Sequence, residues 1–317
     1  MVLIPLEPLD RVEILSVMDN SIDVLMGNTP VARRVKRGRD ANMRPQLRAE
    51  HGVSMLVTTY RGGGKDAFLF DTGVTIDGVL HNMDVLEVKG NELHAVVLSH
   101  GHTDHTRGLM GFIKRYGRPK IPIVLHPDAY LKRKNVQPDG HESEHIPPSR
   151  KDMEAEDVQI IEEIGPTMLI DGSALVTGQI PRVTDFEKGS PNQVALIDGE
   201  WKPDPWIHDD QAIVMNVKNK GLVVLTGCGH AGVINTLKHA LAITGVDRIH
   251  AVIGGFHLTG PIFEPIIAPT VQALKEFSPS VIVPQHCTGW KATHLIARDF
   301  PDAFVPNSVG TTMVIGK

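Results

Sequence analysis

One stretch restricts this chain more than any other: LSHGHTDHTRG, Leu98 to Gly108, directly after the apolar run Ala95-Val96-Val97-Leu98. A strand buried on both faces ends at Leu98 and a helix begins near His105, so His100, His102 and Asp104 sit on the connection. A rigid scaffold commonly presents functional groups at such a position. Alternation in extended backbone turns His100 and His102 the same way. Neutral imidazoles suit zinc or iron. Asp104 and His105, at the turn into the helix, are placed for a second ion beside the first. A plainer reading has Thr103 or Asp104 capping the helix and the histidines in solvent. Three histidines and an aspartate this close together favour metal over that reading.

The pattern of strand, small residues, then a donor recurs. Val223-Val224-Leu225-Thr226 runs into Gly227-Cys228-Gly229-His230, Val252-Ile253 into Gly254-Gly255-Phe256-His257, and Val281-Ile282-Val283 into Pro284-Gln285-His286-Cys287-Thr288-Gly289. Glycine beside each donor permits backbone angles and close approaches that other residues resist. One such histidine is ordinarily a hydrogen-bonding residue of the fold, but His230, His257 and His286 at equivalent strand ends point to a single site assembled from distant loops. Another strand closes on Phe70-Asp71-Thr72-Gly73. Metal-bound imidazoles usually give their second N–H to a carboxylate, which makes Asp71 a candidate support for a ligand, with a simple turn as the alternative. The two cysteines, Cys228 and Cys287, are too few for a disulfide framework, and each lies within two residues of a histidine.

Further β-branched runs mark strands at Val12 to Val17, Ser54 to Thr59, Ala67 to Phe70, Ile121 to Leu125, Ile213 to Val217 and His250 to Ile253. Spacings of three and four mark helices over His105 to Tyr116, Val233 to Ile243, Ile266 to Phe277 and Trp290 to Phe300. The chain is therefore α/β, with helices flanking sheets. Residues 28–50, carrying Arg33, Arg34, Lys36, Arg37, Arg39, Arg44 and Arg48, and residues 184–210, rich in Pro, Gly and Asp, are expected to be irregular loops or lids. A net charge of -5 from 32 basic and 37 acidic residues gives no reason to expect a nucleic-acid partner. The start of the chain lacks a signal-peptide pattern and no apolar run is long enough to span a bilayer, so a cytoplasmic protein acting on a small molecule is expected.

With these residues in view, the chain resembles the metallo-β-lactamase-fold superfamily. HGHTDH matches its H-x-H-x-D-H signature and FDTG its early aspartate motif. Within it, MDN, EHGVS, TGQIPR, DDQA, TGCGHAG, IGGFHL and HCTG are similar to the group typified by the archaeal 7,8-dihydropterin-6-methyl-4-(β-D-ribofuranosyl)aminobenzene-5'-phosphate synthase. The resemblance implies one domain over residues 1–317, an αββα sandwich of two mixed β-sheets flanked by helices, and one or two divalent ions at one edge. Zinc is expected first, with iron, manganese or magnesium open.

Carried over by motif, His100 and His102 hold the first ion, Asp104 and His105 the second, and His286 completes the second. Hydrolytic relatives have a G-H motif where TGQIPR stands here, and a bridging aspartate where this chain has Cys228. His230 is then the extra ligand, and Cys228 a possible ligand or a neighbour of one.

For hydrolysis, an ion pair lowers the pKa of a water from about 15.7 toward neutrality. Asp104 would orient or deprotonate that water, and His257 would stabilise the oxyanion or bind substrate. An ester, lactone, amide or phosphoester would be cleaved. The alternative implied by the archetype is transfer, joining an arylamine to a dihydropterin methyl diphosphate. In that case arginines of residues 33–48, with Arg182, would hold phosphate. His51 and Thr288 are further candidate substrate contacts. A noncatalytic binding protein with a structural metal is the third possibility. The intact motif argues against it, because structural sites need no surplus of ligands.

Overall fold

The computed structural model describes residues 3–36, 45–117 and 120–317. The apolar runs pair into two large sheets. The first holds eight strands in the order Ala32–Arg33, Thr312–Gly316, Arg11–Met18, Ser54–Arg61, Gly64–Phe70, Ala95–Val97, Pro122–Leu125 and Gln159–Glu162. The second holds six, in the order Thr167–Leu169, Ala174–Val176, Ala212–Val217, Gly221–Thr226, Ile249–Gly255 and Val281–Gln285. Both are mixed. Pairing is antiparallel up to Gly64–Phe70 in one sheet and Gly221–Thr226 in the other, and parallel beyond.

This mixture positions the site. Parallel neighbours need a crossover, here helices such as Gly78–Val85, Leu109–Tyr116, Val233–Thr244 and Ile267–Phe277, and the crossovers return every parallel strand in the same direction. The C-terminal ends of Gly64–Phe70, Ala95–Val97, Gly221–Thr226, Ile249–Gly255 and Val281–Gln285 are the strand ends that carry Asp71, His100, Cys228, His257 and His286.

Alternation along the strands divides the core. Val97, Phe68, Phe70, Met215, Val223, Leu225 and Ile253 face inward and form one apolar cluster between the sheets. Val96 and Leu69 face outward beneath Met83, Phe112 and Ile113, while Val224, Val252 and Ile282 pack against Ile234 and Leu237. Burial on both faces explains why these strands read as continuous apolar runs. Each fully buried Val, Leu or Phe contributes roughly 1.5–3 kcal/mol.

The sequence suggested two sheets, and the structure adds a third. Four antiparallel strands, in the order Glu200–Pro203, Gln193–Ile197, Arg133–Val136 and Glu142–His145, stand beside the site. Residues 184–210 are therefore not irregular throughout. Asp198 and Gly199, both at positive φ, make the two-residue turn of a hairpin in which Ile197 faces Glu200. Apolar alternation does not mark these strands, because the sheet is secured through charge. Arg133, fully buried, pairs with Asp209 at 2.7 Å and Asp204 at 2.7 Å.

The expected helix His105 to Tyr116 divides into Thr103–Thr106 and Leu109–Tyr116. At the break, Gly108 lies so near Thr72 that a Cβ would sit 2.1 Å from its carbonyl oxygen. In the basic segment, Ala32–Arg33 forms a short edge strand, whereas Arg37, Arg39 and Arg44 lie outside the described residues. No helix among the described residues is long and apolar enough to cross a membrane.

Candidate metal centre

The loop Leu98 to His102 is fixed from the opposite sheet by Asp209-Asp210-Gln211. Asp209 accepts the Gly101 N–H at 2.8 Å, the Gln211 N–H donates to Ser99 O at 3.0 Å, and the Gln211 amide donates to Leu98 O at 2.9 Å. Asp209 also carries the ion pair with Arg133, so the third sheet and the histidine loop are locked together.

Hydrogen bonding prepares three imidazoles, His100, His105 and His286, in one manner, with Nδ1 held by the protein and Nε2 turned toward the site. Asp71 is at the centre of this arrangement. Its carboxylate accepts the Ser99 N–H at 2.7 Å, the Ser99 hydroxyl at 2.7 Å and His105 Nδ1 at 2.6 Å. Since the Ser99 proton goes to Asp71, Ser99 Oγ accepts from His100 Nδ1 at 2.8 Å, and buried His100 Nε2 has no hydrogen-bond partner. His105 Nε2 lies 3.1 Å from Cys228 Sγ. His286 Nδ1 meets Asn20 Oδ1 at 3.1 Å, and its Nε2 lies 3.2 Å from Asp104 Oδ2. His102 differs, since its Nε2 accepts from the Gln193 NH2 at 3.2 Å and its Nδ1 faces His230 Nε2 at 3.2 Å.

These contacts fit a metal. With Nδ1 of His286 donating to Asn20, its Nε2 and the Asp104 carboxylate are two acceptors face to face, an arrangement that requires a proton or cation between them. Two donors at roughly 2.0–2.1 Å from one tetrahedral ion lie about 3.3 Å apart, close to the 3.2 Å of the His286–Asp104 pair. Burial pushes His100, His102 and His230 well below the ordinary imidazole range, which keeps their lone pairs free. Asp104 stays ionised despite its burial, because His105, His286 and His51 outweigh desolvation.

The donor atoms fall into neighbouring sets, each within 4.8 Å: Asp104, His105, Cys228 and His286 in one, His100, Cys228 and His230 in another. Cys228 Sγ belongs to both and so occupies a bridging position. His257 stands beside them, its ring centroid 4.2 Å from that of His230 and its Nδ1 buried without a partner. Asp71, His257 and His286 all adopt positive φ, uncommon for such residues and grouped here at the strand ends.

A cavity of about 150 Å³ opens over these donors. His51 reaches its wall with Nε2 3.8 Å from Asp104 Oδ2 and a side chain 67% exposed. Two other proposed substrate contacts do not reach it. The Arg182 guanidinium is turned to the Ile180 and Trp206 carbonyls, and the buried Thr288 hydroxyl accepts the Phe256 N–H at 3.0 Å. Nor do the described arginines of the basic segment line the cavity. Arg33 pairs with Glu13, Arg34 with Thr311 and Pro306, and Arg48 with Asp77.

Three participants escape sequence reasoning. His145 stacks on His102 at 3.9 Å, Gln193 supports that ring, and Cys287 lies beside Cys228. His145 ends the polar strand Glu142–His145, which carries no apolar pattern, and Gln193 opens Gln193–Ile197, which lies inside the segment expected to be irregular. The third had a signal in its proximity to His286.

Residues 47–239 match the metallo-beta-lactamase superfamily. The chain is 30% identical over 272 residues to the 7,8-dihydropterin-6-methyl-4-(beta-D-ribofuranosyl)-aminobenzene-5'-phosphate synthase of Methanocaldococcus jannaschii, covering 81% of this chain and 87% of that one. It is 29% identical over 248 residues to an uncharacterized protein of the same organism, covering 77% and 86% respectively. The solved structure of Tm1679, a metal-dependent hydrolase of the beta-lactamase superfamily, aligns with a TM-score of 0.73 at 24% identity over 96% of this chain and 100% of that one.

Proposed function

The chain belongs to the metallo-beta-lactamase superfamily, and on that premise we propose that it is a metal-dependent hydrolase of a small ester, lactone, amide or phosphoester. The observation that carries the reading is the three imidazoles of His100, His105 and His286, each anchored through Nδ1 and aimed inward with Nε2, beneath an open cavity. His100 and His230 would hold one divalent ion, with His102 joining them once its Nδ1, 3.2 Å from His230 Nε2, gives up its proton, and Asp104, His105 and His286 would hold a second, with Cys228 between them. Zinc suits this donor set best. Such ions supply Lewis-acid polarisation of the scissile group and activation of water.

The protein supplies the rest. Asp104, ionised and 16% exposed at its side chain, is the carboxylate placed to orient the attacking water and receive its proton. His257, on the cavity wall, is placed to donate to the oxygen on which charge develops. Ile262 and Phe263 form an apolar part of the wall that excludes bulk water from the reacting group.

A second reading, group transfer, is favoured by the synthase at 30% identity. One experiment addresses both. The protein is stripped with a chelator, reconstituted separately with zinc, manganese and iron, and assayed on lactone, β-lactam, ester, phosphodiester and phosphotriester substrates. Turnover that disappears on stripping and returns with metal is expected. Inactivity of every reconstituted form would count against hydrolysis, and diphosphate release from a separately supplied dihydropterin methyl diphosphate that depends on an added arylamine would establish transfer instead.

A further inference from the structure

Three adjacent parallel strands, Gly221–Thr226, Ile249–Gly255 and Val281–Gln285, each present one more donor just past their C-terminal ends: Cys228, His257 and Cys287. Their donor atoms lie within 4.8 Å of one another, and all three residues line the cavity. Cys287 belongs to neither of the sets assigned above. Its thiol donates to Cys228 O at 3.3 Å and lies within hydrogen-bonding reach of the Cys228 and His257 side chains, so the three donors already turn toward one another. The close approach is built into the backbone. At Gly255 a Cβ would meet Cys287 Sγ at 2.8 Å and Gly227 O at 2.5 Å, so a residue with a side chain would push the thiols apart.

We propose that Cys228, His257 and Cys287 form a separate site for a thiophilic divalent cation, zinc or cadmium, which shares Cys228 with the histidine- and aspartate-lined centre. Two thiolates and an imidazole are a soft donor set that excludes magnesium and calcium, and three protein ligands leave the fourth tetrahedral position open toward the cavity. Both thiols lose their protons on binding, and with the neighbouring centre empty the two thiolate charges balance the cation. His257 then serves as a ligand when this cation is present and as a substrate donor when it is not. The inference rests on the reading of this sheet edge as a metal centre.

The test uses the full-length, metal-stripped protein with one equivalent of cadmium, and counts sulfur neighbours by X-ray absorption at the cadmium edge. Two sulfurs per cadmium are expected. In Cys287→Ser the count falls to one, the ultraviolet thiolate-to-metal absorption falls by about half, and cadmium affinity drops by at least the roughly 10–100-fold that loss of a ligand's supporting partner costs. One sulfur or none in the wild type, or an unchanged count in Cys287→Ser, overturns the proposal. If that variant does not fold, the wild-type count decides alone. His102→Ala separates the two readings. Loss of one zinc per chain from that variant with two sulfurs still on cadmium supports both, whereas loss of one zinc with a single sulfur leaves the hydrolase reading standing and refutes this one.

Discussion

Replacing Asp71 with asparagine alters the support of His105 and, through Ser99, of His100 without removing either imidazole. Asp71 is fully buried at φ 62°, a conformation that asparagine also tolerates, so the backbone has no reason to move. Its carboxylate accepts three hydrogen bonds, from Ser99 N, Ser99 Oγ and His105 Nδ1, at 2.7, 2.7 and 2.6 Å. In Asp71→Asn the carbonyl can still accept from Ser99 N, but an NH2 group replaces the oxygen that faced His105. His105 must then accept at Nδ1, and its proton moves to Nε2, the nitrogen 3.1 Å from Cys228 Sγ. A metal at that nitrogen would first have to displace the proton. Turning the amide over does not help, since it sets NH2 against the Ser99 N–H and leaves buried donors unpaired at about 1–3 kcal/mol each. Loss of such a support typically weakens metal binding 10–100-fold, roughly 1.4–2.7 kcal/mol. Competition against a chromophoric chelator measures the zinc Kd of both proteins, with circular dichroism as the control for folding. A folded Asp71→Asn protein with a Kd within threefold of the wild type would refute the assigned tautomer and the role given to Asp71.

In the metal-free protein, burial opposes the charge on His105, but Asp71 and Asp104 outweigh it and raise its pKa to about 9 from 6.5. The stabilisation is therefore full below about pH 6.5 and disappears as pH rises through about 9, a change of ~3 kcal/mol at 1.36 kcal/mol per pH unit. Chemical denaturation of the stripped protein at pH 6 and pH 10 measures it, and equal contributions from His105 at both, judged against His105→Gln, would disprove the ion pair. Arg133→Met leaves Asp204 and Asp209 without their buried cation, so unfolding free energy should fall by about 3–5 kcal/mol in urea titrations. Gly227→Ala places a Cβ 2.1 Å from Ser99 Oγ and 2.9 Å from Asp71 Oδ2, and bound metal measured by mass spectrometry should fall with it. A Gly227→Ala protein with full metal content would show that the Ser99–Asp71 pair can move without consequence.

Local chemistry made much of the protein legible. Ala95 to Leu98 announces a strand buried on both faces, and the crowding of His100, His102, Asp104 and His105 after it announces a loop rich in metal-donor side chains, because burial and donor type are properties of neighbouring residues. The repeated strand-then-donor pattern likewise located Cys228, His230, His257 and His286. The third sheet stayed hidden, since Glu142–His145 and Glu200–Pro203 are largely exposed and polar, and the buried Arg133–Asp209 pair joins residues 76 apart. Arg182 and Thr288 have suitable chemistry for binding substrate, yet the tertiary structure uses both on backbone groups. The sequence alone therefore determined which side chains are available to a metal and on which strand ends they stand. Only the tertiary structure decided that Cys228, 123 residues from His105, lies 3.1 Å from its Nε2 and belongs to both donor sets. That proximity depends on how two sheets pack face to face through Val97, Phe70, Leu225 and Ile253, and sheet-to-sheet packing is a property of the whole core rather than of any stretch of residues.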